Sequence, residues 1–113
     1  MEISLYDFGR IQINGHLYTS DVILANGDVK DGWWRIVGEN LSPDDLIDIL
    51  PEKPEILIVG TGYHGRMTLS PGVRYELARR GITLHALPTR EAVALFNRLQ
   101  RESTAVVAAL HVT

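Results

Sequence analysis

The residues of this chain best suited to chemistry lie between positions 60 and 66. There Gly60-Thr61-Gly62-Tyr63-His64-Gly65-Arg66 follows the apolar run Ile56-Leu57-Ile58-Val59. The spacing is G-x-G-x-x-G, and glycines at such positions admit positive φ and let backbone approach a ligand closely. Of the histidines at 16, 64, 85 and 111, His64 is the best placed for acid–base work, because imidazole titrates near neutrality. Arg66 and a helix start at Ser70-Pro71 are positioned to meet the same anion. A loop beyond the carboxyl end of a buried strand is also where open α/β sheets bind ligands. The plainer reading is a tight corner turned by glycines, with His64 and Arg66 solvated, and the sequence leaves both readings open.

Several familiar chemistries are excluded or disfavoured. In a dinucleotide-binding fold the third glycine lies inside a helix that begins in the loop; here Arg66-Met67-Thr68-Leu69 intervenes. No Lys-Ser or Lys-Thr pair follows the last glycine, so the loop is not a Walker A phosphate loop. With no cysteine and no closely spaced histidine pair, no metal and no cofactor is expected. Ser70 reads as a helix cap, since nothing supplies it with a base or an oxyanion hole. His85 and His111 fall in predicted strands, where hydrogen-bonded core or edge roles are the ordinary ones. Asn97 follows the core residue Phe96 inside a helical pattern; if buried, it must be hydrogen-bonded.

The elements that must hold these residues are legible as two patterns meeting near residue 41. The first is antiparallel and β-rich. Arg10–Ile13 and His16–Thr19 flank Asn14-Gly15, a type I′ hairpin signal, and Val22–Leu24 with Asn26-Gly27 suggests a second. Trp33–Val37 is aromatic and β-branched, which predicts a strand with its two tryptophans on opposite faces. The second pattern alternates helix and strand. A helix opens at Ser42-Pro43-Asp44-Asp45, with both aspartates favouring the positive end of its dipole, and presents Leu46, Ile47, Ile49 and Leu50. Ile56–Val59 is a strand covered on both faces. A helix runs from Ser70-Pro71 to Gly81 and a strand from Ile82 to Leu87. Thr89 caps a helix through Ala92, Phe96 and Leu99, and Ala105–Val112 is a last strand. The fold class expected is therefore α/β: a single compact domain, residues 1–113, with a mixed β-sheet, flanking helices and an antiparallel β-rich N-terminal part.

Length and composition agree with that. The chain has 113 residues, 45% hydrophobic and 22% charged, with a net charge of −3. A negative balance argues against a nucleic-acid-binding face. No apolar run approaches the roughly 20 residues needed to cross a bilayer, and no basic-plus-apolar leader is visible, so a cytoplasmic protein is expected. Homo-oligomerisation through a sheet edge stays open.

One order of motifs runs through the whole chain: Asp21-Val22-Ile23, Trp34-Arg35, Gly60-Thr61-Gly62, Met67, Pro71, Gly81-Ile82, Thr89-x-Glu91-Ala92, Phe96-Asn97-x-Leu99 and Ala109-Leu110-His111-x-Thr113. It resembles the Mth938-like domain family, a domain of unknown function with relatives that include a mitochondrial complex I assembly factor. The resemblance implies a compact α/β domain with Gly60, Thr61, Gly62, Thr89, Asn97 and His111 in one neighbourhood at the strand ends. It implies no established reaction, and it points toward a short cytosolic member without an import signal. The function expected is a non-catalytic interaction or assembly-factor-type protein, with an exposed aromatic such as Trp33 anchoring a protein partner. The alternative is a small-molecule or anion-binding domain, conceivably an enzyme, using the Gly60–Gly65 loop; in it, Gly62→Ala is expected to abolish binding without unfolding the chain.

Overall fold

The computed structural model describes residues 1–102 and 105–113. Ile3–Asp7 (β1), Arg10–Ile13 (β2) and His16–Tyr18 (β3) form an antiparallel three-stranded sheet. Val22–Ala25 (β4) and Asp28–Asp31 (β5) form the second hairpin. Asn14 and Asn26 stand at φ 52° and 53°, the left-handed values that both Asn-Gly turns require. Next in the chain come Asn40–Leu41 (β6), Ile56–Thr61 (β7), Thr68–Leu69 (β8), the helix Pro71–Arg79 (α1), Thr83–Leu87 (β9), the helix Thr89–Leu99 (α2) and Val106–His111 (β10).

The main sheet has the order β5-β4-β10-β7-β9. The strands β4 and β5 pair antiparallel, β4 pairs antiparallel with β10, and β10, β7 and β9 run parallel. The sheet is therefore mixed, and its N-terminal hairpin extends the parallel part, as the sequence pattern requires. Successive side chains of a strand leave by opposite faces, so each central strand feeds two cores. Ile23, Leu57, Val59, Val107 and Ala109 pack on one face with Val73 and Leu77 of α1. Val22, Leu24, Ile58, Ala108 and Leu110 pack on the other with Phe96 of α2 and with Ile3, Ile11 and Ile13 of the small sheet. The edge strand β5 carries Asp28, Lys30 and Asp31, charges that discourage strand addition.

Three expectations need correction. Trp33–Val37 is not a strand, because its backbone groups go elsewhere: Trp33 N donates to Asp21 O (3.0 Å), and Ile36 N donates to the Asp45 carboxylate (3.0 Å). The segment from Pro43 to Asp48 is a 3-10 helix. With three residues per turn, Leu46 and Ile49 share the buried side while Ile47 points away, 74% exposed. Asp45 stands in the first turn as expected; it is buried and also accepts from Ser42 N (2.7 Å) and Ser42 Oγ (2.8 Å). Thr89 does not cap α2; it is the helix's first residue, and Pro88 precedes it in the cap position.

Asn97 is the partly buried, hydrogen-bonded residue that its odd position in a helix allowed. Its Oδ1 accepts from Ile3 N (3.0 Å) and its Nδ2 donates to Ile3 O (2.8 Å), so it completes the edge of β1 as a neighbouring strand would. Asn97→Ala orphans both backbone groups and is expected to cost about 1–3 kcal/mol, read by urea denaturation. Ligand binding at the far end of the sheet should be unchanged.

Candidate functional site

The parallel register pairs Thr61 with His111, so β7 and β10 end side by side. This is possible because nothing intrudes at Gly60. A Cβ there would stand 2.8 Å from Thr89 Oγ1 and 2.9 Å from Leu110 Cδ2. Thr89, fully buried, accepts from Gly62 N (2.8 Å) and donates to His111 O (2.6 Å), tying the start of the glycine loop to the end of β10. Gly62 has φ 105°, and a Cβ on it would meet the His111 ring at 3.0 Å. Gly62→Ala therefore strains the backbone, which overturns its use as a substitution that spares the fold.

A cavity of about 330 Å³ opens over these strand ends. The buried Thr61, Gly62 and His111 and the exposed Phe8, Glu39, His64, Arg66 and Thr113 line it. Phe8, Tyr63 and His64 form an aromatic cluster on its rim, with ring centroids 5.1–6.3 Å apart. Arg90 lies over Tyr63 at 5.0 Å and donates to its hydroxyl (2.9 Å).

Beneath the cavity lies a set of buried charges. Asp21, just before β4, accepts at one oxygen from Val112 N (2.8 Å) and at the other from Arg35 Nη2 (2.8 Å) and His111 Nδ1 (2.9 Å). Arg35 is 7% exposed, stacks on the Trp33 ring (4.5 Å) and donates through Nε to Gly38 O (2.8 Å). Since His111 Nδ1–H donates a hydrogen bond to Asp21, its 3.2 Å approach to Arg35 Nη2 is a close passage and not a second hydrogen bond. The other nitrogen, Nε2, meets the Glu39 carboxylate at 3.3 Å. Asp21 and Glu39 approach opposite nitrogens of one ring and do not converge on a point that an ion could occupy.

The hydrogen bond to Asp21 pushes the His111 pKa above its ordinary 6.5, against the opposing effects of burial and of Arg35. For Asp21, burial favours the neutral acid, but the bonds from His111, Val112 N and Arg35 outweigh it and lower the pKa below 3.8. An imidazole held this way has one tautomer, one orientation and enhanced basicity, and it can accept or deliver a proton at Nε2.

Of the residues singled out in the sequence, Thr61, Gly62, His64, Arg66 and His111 meet around the cavity, with Gly60 and Thr89 directly behind them. Asn97 does not join them; its partner is β1. Ser70, whose helix start was expected to face the loop's anion, lies outside the cavity lining and accepts from Asn40 Nδ2 (3.0 Å). His64 lines the cavity as His111 does, and of the two His111 has its ring held by a carboxylate. Asp21, Arg35 and Glu39 escaped sequence reasoning as site residues. The visible hint was a charged residue, Arg35, inside the apolar segment Trp33–Val37.

The structure fixes the sign of the pH dependence. A raised His111 pKa stabilises the fold fully below about pH 6.5 and is lost as pH rises through the folded-state value. A lowered Asp21 pKa stabilises above about pH 3.8 and is lost as pH falls through its folded-state value. Asp21→Asn is expected to flatten the alkaline loss. It should also cost about 3 kcal/mol by leaving Arg35 buried without its counter-charge. Denaturant titrations at about pH 6 and pH 9 measure both effects.

The family described as a protein of unknown function (DUF498/DUF598) matches residues 3–111. Among solved structures, a conserved hypothetical protein from Pyrococcus horikoshii OT3 is 26% identical, with 100% of this chain and 99% of that one covered and a TM-score of 0.89. A structure named MT938 is 27% identical, with 99% and 97% covered and a TM-score of 0.82. A Mth938-like domain from Bordetella pertussis is 22% identical, with 98% and 85% covered and a TM-score of 0.64, a likeness of fold alone. Among the described residues no helix is long and apolar enough to cross a membrane.

Proposed function

The chain belongs to the DUF498/DUF598 family of proteins of unknown function, and from that premise we propose that it binds a small polar ligand through His111. The observation that carries this reading is the buried imidazole of the cavity lining whose Nδ1 is held by Asp21 (2.9 Å) while Nε2 meets Glu39, an exposed carboxylate of the same lining. A buried charged pair is costly to form, and a hydrophobic replacement often serves stability as well or better. Its location under a cavity, with Nε2 met by a mostly exposed carboxylate, supports a binding or proton-transfer role. Arg66 and His64 on the lining favour a polar ligand. The cavity volume, about 330 Å³, suits a small metabolite.

A thermal-shift screen against nucleotides, phosphorylated metabolites, carboxylates, sugars and divalent metals tests the reading. A ligand at 100 times its dissociation constant stabilises by about 2.7 kcal/mol, which in a domain of this size raises the midpoint by roughly ten degrees. The shift should vanish in His111→Asn and shrink in Arg66→Gln, whose exposed side chain is unimportant to the fold. A hit that survives both substitutions places the ligand elsewhere and sinks the proposal.

The protein-interaction reading has its own support in a second surface. Trp34, Ile36 and Val37 are 74%, 64% and 59% exposed, and Ile47 is 74% exposed on the neighbouring 3-10 helix, tied to them by the Ile36–Asp45 bond. An exposed tryptophan is a strong interface anchor. It is Trp34, since Trp33 is buried beneath Arg35 and cannot play that part. A partner captured from native extract should be lost in Trp34→Ser and retained in Arg66→Gln. Retention by Trp34→Ser would remove this surface from consideration.

A further inference from the structure

Resting on the reading of His111 as the ligand-binding group, we infer that the ligand carries a carboxylate, which displaces Glu39 from His111 Nε2 and lies against Arg66. Glu39 is the cavity's own carboxylate, and it stands where the ligand's would. Its Oε1 is 3.3 Å from Nε2, so a carboxylate oxygen is sterically and chemically accommodated at that position. The Glu39 side chain is 63% exposed, and His111 is its hydrogen-bond partner; what anchors the residue is its backbone carbonyl, which accepts from Thr68 N (2.9 Å) and Thr68 Oγ1 (3.3 Å). The side chain is thus free to leave while its backbone stays in place. A loosely held internal carboxylate on a firmly held imidazole is an exchangeable contact.

The surrounding charges favour an anion once Glu39 withdraws. Asp21 and Arg35 neutralise each other at the Nδ1 side. On the cavity side, Arg66 makes no ion pair among the described residues, and His64 adds a second imidazole. A protonated His111 then donates from Nε2 to the incoming carboxylate, a charge-assisted bond in a shielded position. The hydrogen bond to Asp21, the largest cause of the raised His111 pKa, stays in place when Glu39 leaves and continues to favour the protonated form. Binding should accordingly weaken as pH rises. Glu39 acts as a built-in competitor that the ligand must outbid on the same nitrogen.

NMR titration of the isotope-labelled protein, following the His111 ring, tests this with succinate as the carboxylate probe and ribose as a neutral control. Succinate should shift the His111 resonances and ribose should not. Glu39→Gln, which keeps the size and the backbone bonds, should bind succinate about three- to fivefold more tightly, and Arg66→Gln more weakly. Binding at about pH 9 should be weaker than at about pH 6. Unchanged or weaker succinate binding in Glu39→Gln overturns the displacement, for Glu39 is then part of the binding surface. Ribose acting at His111 while succinate is excluded overturns the carboxylate assignment and leaves the ligand-site reading intact. Silence of both probes in wild type and Glu39→Gln overturns the inference, and the broader screen then decides the ligand site on its own.

Discussion

The Asp21 carboxylate holds together three segments that the chain order keeps far apart. With two oxygens it accepts hydrogen bonds from Arg35, from the His111 ring and from Val112 N, joining the loop after β5 to the end of β10 and the residue beyond it. A carboxylate so close to the core is tolerable because every approach to it is a donor, two of them from groups that can carry positive charge. The Arg35 guanidinium has the same dependence in reverse, being almost wholly enclosed and paired through Asp21 and Gly38. Neither ion would be stable there alone, so the loop from Trp33 to Gly38 is held in place by an electrostatic tie where a strand ladder is missing.

What the tie accomplishes is the orientation of one ring. His111 ends the central strand of the sheet, and β10 is buried along its whole length. A rigid strand fixes the Cα, Thr89 fixes the carbonyl, and Asp21 fixes Nδ1. Nε2 is left with a defined direction toward the cavity. The glycine loop serves the same end from the other side. Gly60 lets Thr89 come close, and Gly62, at a φ that other residues rarely adopt, lets the chain turn against the imidazole face. Gly60 is required by the close approach of Thr89 and Leu110, and Gly62 by that of the His111 ring.

The cavity and the exposed aromatic surface are connected through a short stretch of chain. Trp33 stacks beneath Arg35 and also lines a cleft with Trp34 and Asp48, while Arg35 reaches the carboxylate that orients His111. His111 lies 2.9 Å from Asp21, which holds the Trp34 segment through Arg35. The two functional readings therefore draw on one charge network, even though they use different surfaces.

The sequence by itself determined the β2–β3 and β4–β5 hairpins, the strands β7, β9 and β10 and the helices α1 and α2, but not β1, β6 or β8. Asn-Gly pairs dictated both hairpins, unbroken apolar runs marked β7 and β10 as central strands, and Ser70-Pro71 and Gly81 bounded α1. These are signals of period and backbone geometry, carried by neighbours in the chain. The resemblance in its motifs added Gly60, Thr61, Gly62, Thr89 and His111 to one neighbourhood, correctly, and Asn97, which binds β1 instead. Only the tertiary structure decided that Trp33–Val37 is no strand, that Trp34 and not Trp33 is exposed, and that Asp21, Arg35 and Glu39 surround one imidazole. Asp21 and His111 are 90 residues apart, and Arg35 and His111 are 76 apart. Such pairings obey no local period. They are set by which strands become neighbours in the sheet and by the need of each buried charge to find a partner there.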